Sequence, residues 1–76
     1  MRYYTPEELA AELEARRCHF VGAGPNGYAF WTSPVGEPFS VPPPGEVVAG
    51  QRLYTESLLK DMIAELDLPP KDRGQG

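Results

Sequence analysis

Basic residues are missing from the whole middle of this 76-residue chain: no lysine or arginine occurs between Cys18 and Gln51. Protein–nucleic acid affinity rests largely on Lys/Arg contacts to phosphates, so this stretch offers no phosphate-docking surface. Eleven acids against seven Lys/Arg give a net charge of −4. That balance gives no general attraction to nucleic acid or to anionic membranes. One cysteine, Cys18, cannot form an internal disulfide, and with one histidine it cannot complete a Cys/His zinc site. No metal or cofactor is expected. No apolar run approaches the roughly 20 residues that cross a bilayer. Met1 to Glu8 lacks the apolar run of a secretion signal. With the single free thiol, this gives the expectation of a cytoplasmic protein. A core this small is marginal alone, so a partner or self-association is expected.

Turn-forming residues are abundant, with eight glycines and nine prolines. Thr5-Pro6-Glu7-Glu8 reads as a helix start: Thr5 caps, Pro6 takes the first helical position, and Glu8 completes a capping box. Tyr4 and Leu9 are spaced for a hydrophobic staple. This helix is predicted to run to about Arg17, with Leu9, Ala10 and Leu13 as its apolar stripe. Cys18–Ala23, Tyr28–Ser33 and Glu37–Val41 read as three strands of an antiparallel meander. Pro25-Asn26-Gly27 and Pro34-Val35-Gly36 suit three-residue hairpin loops, a type I turn followed by a left-handed glycine. Pro42-Pro43-Pro44 ends the sheet. A connection of about ten residues leads to a second helix, Glu56 to Leu66, capped by Thr55. Leu58, Leu59, Met62, Ile63 and Leu66 follow the spacing of its buried face. The expectation is a single α+β domain over residues 1–68. It has two layers in the order α-β-β-β-α, with both helices on one face of the sheet. Residues 69–76 are expected to form a disordered tail.

The two loops set a strand register. It pairs Val21 with Trp31, Ala23 with Ala29, Trp31 with Phe39 and Ala29 with Val41. Side chains alternate across a strand. His19, Val21, Ala29, Trp31, Phe39 and Val41 are therefore expected on the core face. Phe20, Tyr28, Phe30, Thr32 and Ser40 are expected on the outer face. Cys18, at the helix–strand junction, reads as a small buried residue.

The order of elements, with Pro34-Val35-Gly36 and Val41-Pro42-Pro43-Pro44-Gly45 at their positions, resembles the HicA toxins over residues 7–66. These are small bacterial toxins of toxin–antitoxin pairs. The resemblance implies a fold like the double-stranded-RNA-binding domain, an mRNA-cleaving, metal-independent RNase activity, and neutralisation by a HicB antitoxin. The family's Gly-Ser-His signature falls on Asn26-Gly27-Tyr28. Tyr28 thus takes the catalytic histidine's place, and a phenol is a poor proton shuttle near neutral pH. His19 is aimed by the derived register at the opposite face.

Two readings follow. One is a HicA-type RNase with Tyr28 at the catalytic position. The other, which the uncharged sheet favours, is a non-catalytic interaction module derived from that RNA-binding toxin fold. Its partner would be a second copy or a HicB-like antitoxin, and Phe20, Tyr28 and Phe30 would form the partner- or RNA-binding surface.

Overall fold

The computed structural model describes residues 2–71. Eight elements follow one another: β1 (Tyr3–Tyr4), α1 (Pro6–Ala15), β2 (His19–Ala23), β3 (Ala29–Thr32), β4 (Pro38–Val41), β5 (Glu46–Val48), β6 (Gln51–Thr55) and α2 (Glu56–Leu66). The fold is α+β. The antiparallel meander β2-β3-β4 is joined by a second three-stranded antiparallel sheet, ordered β1-β6-β5. That second sheet occupies the stretch read from sequence as a plain connection.

Local chemistry accounts for both helix starts. The Glu8 N–H donates to Thr5 Oγ1 (3.0 Å) and the Thr5 N–H to Glu8 Oε1 (2.9 Å), a closed capping box. In α2 the Leu58 N–H donates to Thr55 Oγ1 (3.2 Å). Both helices end alike. The N–H of Cys18 reaches the Leu13 carbonyl (3.0 Å) and that of Arg17 the Glu14 carbonyl (2.9 Å), with Arg17 at φ 69°. The N–H of Leu68 reaches the Ile63 carbonyl (3.0 Å), with Asp67 at φ 52°. Each is a Schellman ending built on a residue other than glycine. It stops α1 at Ala15, two residues before the predicted end.

One buried cluster joins every layer: Tyr4, Leu9, Leu13, Cys18, Trp31, Val41, Tyr54, Leu59 and Leu68. Leu58, Met62, Ile63 and Leu66 of α2 pack against it partly buried. The Tyr54 hydroxyl donates to the Pro42 carbonyl (2.6 Å), tying β6 to the end of the meander. Ser33, buried in the second meander turn, accepts at Oγ from the N–H groups of Val35 (3.3 Å) and Glu37 (3.1 Å).

The β3–β4 register is the predicted one, with Ala29 opposite Val41 and Trp31 opposite Phe39. The β2–β3 register keeps Ala23 opposite Ala29 but then departs. Phe20, not Val21, faces Trp31, because Val21 is extruded as a β-bulge between Phe20 and Gly22. The expected Val21–Trp31 pair is therefore corrected. The physical reason is aromatic packing. The bulge lets Phe20 set its ring against Trp31, centroids 5.4 Å apart at 72°. Such edge-on pairs contribute about 0.5–1.5 kcal/mol beyond burial. His19, expected on the core face, is exposed and stands opposite Thr32 on the outer face.

The first meander loop also differs in detail. Asn26 (φ 60°) and Gly27 (φ 80°) are both left-handed, and the Tyr28 N–H closes on the Pro25 carbonyl (3.2 Å). The second loop keeps its predicted plan, with Gly36 at φ 85°.

The tail expected over residues 69–76 lies outside the described residues from position 72 onward. Before that point, Lys71 Nζ meets Glu12 Oε2 at 2.9 Å, while Arg16 Nη1 meets Glu12 Oε1 at 2.8 Å. Burial alone would raise the Glu12 carboxyl. The hydrogen bonds and charges of Lys71 and Arg16 outweigh it and hold the group below its ordinary value of 4.5.

Two outcomes are expected. A carboxyl depressed by folding stabilises the fold above its unfolded pKa, and that contribution is lost as pH falls through the lower folded value. Glu12→Gln should cost on the order of 1 kcal/mol at pH 7. Urea titrations repeated below pH 4.5 should show the difference from wild type shrinking. The β5–β6 turn places Ala49 at φ 51° and Gly50 at φ 80°, the type I′ geometry that alanine resists. Ala49→Asn should stabilise by roughly 0.5–1 kcal/mol, read as an upward shift of the thermal midpoint.

Candidate interaction surface

The meander presents two contrasting apolar surfaces. The outer face follows from the pairing: His19 opposite Thr32, Gly22 opposite Phe30, and Phe30 opposite Ser40. Tyr28, two residues from Phe30, shares that face. Tyr28 and Phe30 are both exposed. The Phe30 ring lies across Gly24, where an added Cβ would sit 2.4 Å from Phe30 Cε2. Glycine at 24 is thus what lets the ring lie flat against the strand.

Phe20 does not belong to this platform. The bulge moves it to the side of Trp31, where it forms the rim of a groove between α1 and the meander. The expected triad of outer-face aromatics is therefore a pair, Tyr28 and Phe30. The groove encloses about 360 Å³. Leu9, Leu13, Trp31 and Val41, all buried, form its floor and walls, and Glu14 is its one charged lining residue. Phe20 is 56 % exposed and the bulged Val21 beside it 64 %. Glycine inside a predicted strand is the sequence signal that marks such a bulge, and Gly22 carries it.

The positive charge gathers elsewhere. Arg2, Arg16, Lys60 and Lys71 line one cavity of about 300 Å³ between the two helices, together with Glu12 and Glu56. The Arg2 guanidinium sits 4.8 Å from the centre of the Tyr4 ring. Arg52 lies apart on β6, opposite Val47. Strands β2, β3 and β4 carry no Lys, Arg, Asp or Glu.

The two residues considered for chemistry, His19 and Tyr28, share the outer face: Thr32, which His19 faces, and Tyr28 are four residues apart along the chain, about 13 Å of backbone. Among the described residues no three His, Cys, Asp or Glu groups cluster to hold a metal ion. No described helix is long and apolar enough to cross a membrane. The Cys18 thiol is 3 % exposed, and burial pushes its pKa up against the opposing charge of Arg16. Both effects disfavour the reactive thiolate.

Cys18 should therefore react with a disulfide reagent in the folded protein at least about a hundredfold more slowly than in denaturant. Rapid modification without unfolding would contradict its placement. Compared with family models, with curated proteins and with solved structures, the chain matches none of them.

Proposed function

We propose that this chain is a non-catalytic protein-interaction module of HicA-like descent. One observation carries the reading. Among the described residues, five of the six large exposed hydrophobics, Phe20, Val21, Tyr28, Phe30 and Val35, fall within residues 18–36, a stretch with no formal charge. Interface cores are depleted of charge and enriched in aromatics, because every charged group there must be desolvated. A free surface of this composition suits burial against another protein. Its partners in this reading are a second copy or a HicB-like antitoxin.

An RNA-cleaving toxin is the second reading, and one feature favours it. The bulge places the exposed imidazole of His19 on the same face as Tyr28 and Phe30. Against it, no cation on β2–β4 would hold a phosphate between the two candidate groups.

An RNA titration at two salt concentrations separates the readings. The interaction module should show neither cleavage nor binding tighter than about 10⁻⁴ M, with little change between about 50 and 200 mM salt. Affinity falling steeply with salt, together with cleavage abolished by His19→Ala or Tyr28→Phe, would establish the RNase instead.

A further inference from the structure

The groove between α1 and the meander states what can fill it. Its α1 wall runs from Pro6 to Glu14, nine residues spanning about 12 Å. Its floor offers no free donor from Tyr54, whose hydroxyl is already bound to the Pro42 carbonyl. Glu14, the only charged lining residue, makes no ion pair with a described residue. The groove therefore asks for apolar side chains with a cation beside them.

The chain carries that chemistry on the groove's own rim. Phe20 and the bulged Val21 project into solvent, and exposed Arg17 lies three residues before Phe20. We infer that the β2 rim of a second copy occupies the groove, in a two-fold dimer in which each copy's Val21, with the exposed side of its Phe20, packs against the other's groove. This rests on the interaction-module reading and names its partner.

Charge favours that partner. Two copies at −4 each repel over most of their surfaces. Residues 18–36 carry no formal charge, so approach there brings no like charges together. A two-fold axis also repeats every contact, setting each copy's Arg17 beside the other's Glu14 twice. The other edge of the meander is guarded: β4 starts at Pro38 and runs into Pro42-Pro43-Pro44. Of the two meander edges, only β2 has neither proline nor formal charge. Its bulge interrupts backbone pairing, so the contact is made by side chains packing against the groove.

Sedimentation velocity of the full chain over a dilution series tests this, with emission of Trp31 on the groove floor as a second readout. Wild type should show a monomer–dimer equilibrium whose midpoint matches a shift in Trp31 emission. Val21→Asp should weaken it by about tenfold or more, with an unchanged thermal midpoint at concentrations where the chain is monomeric, because Val21 is largely exposed. Glu14→Arg and Arg17→Glu should each weaken it, and the double variant should recover most of the loss. A monomer up to about 1 mM, a dimer indifferent to Val21→Asp, or a double variant no better than the singles would each overturn the inference. If the chain is monomeric but a short peptide carrying Phe beside Arg shifts Trp31 emission, the dimer fails and the interaction module stands. If neither shifts it, both fail.

Discussion

A chain this short has one indole to bury and few large side chains to bury it with. Trp31 occupies the middle strand of the meander and is almost wholly covered. Leu9 and Leu13 of α1 belong to the same cluster, as do Val41 of β4 and Tyr54 of β6. No single element supplies enough apolar surface, so every layer must reach it. That need explains the bulge in β2. A regular strand would set Val21 beside Trp31 and turn Phe20 to solvent. Extruding Val21 costs a ladder position and exposes a small side chain, but it sets a whole phenyl ring against the indole. The price is an open groove, since Phe20 covers only one flank of Trp31.

The helix ends obey the same demand. Arg17 and Asp67 hold left-handed backbone angles, which cost a residue with a side chain about 1–2 kcal/mol. The residue after each, Cys18 or Leu68, is delivered into the core. Burying a leucine stabilises by about 1.5–3 kcal/mol, so at Leu68 burial outweighs the backbone strain. The chain then continues to Lys71, whose ammonium shares the Glu12 carboxylate with Arg16. One carboxylate thus ties the end of the described chain to the first helix.

Both helices, the three meander strands and their turns were legible because their signals are local. Thr5-Pro6-Glu7-Glu8 is a cap, Pro25-Asn26-Gly27 a loop, and the Leu58-to-Leu66 spacing a buried face. The β5–β6 hairpin was not legible, since Ala49-Gly50 lacks the Asn or Asp that marks a type I′ turn. The two-residue β1 has no periodicity of its own and exists because β6 is there to pair with it. The bulge had one sequence signal, Gly22 inside the predicted strand, which the alternation pattern overrode. Alternation alone assigns Phe20 outward, and only the tertiary demand of Trp31 reverses it. One extra residue exchanged the faces of Phe20 and His19, and with them two of the groups on which a functional reading turns.

Charge distribution carries the argument from fold to function. Four of the seven basic residues line the cavity between α1 and α2, and two of those are already committed to Glu12. The meander receives none. Phosphoryl chemistry needs positive charge where negative charge develops, and the meander offers only one imidazole and one distant phenol. Docking against protein needs the opposite, a surface from which water leaves cheaply. Tyr28 and Phe30 on the outer face meet that need without desolvating a formal charge, and Phe20 and Val21 meet it at a groove whose one charged lining residue is Glu14. The bulge that Trp31 demands is therefore also what creates the surface proposed for docking. It pushes Val21 outward, brings Phe20 to the groove rim, and turns His19 to the outer face.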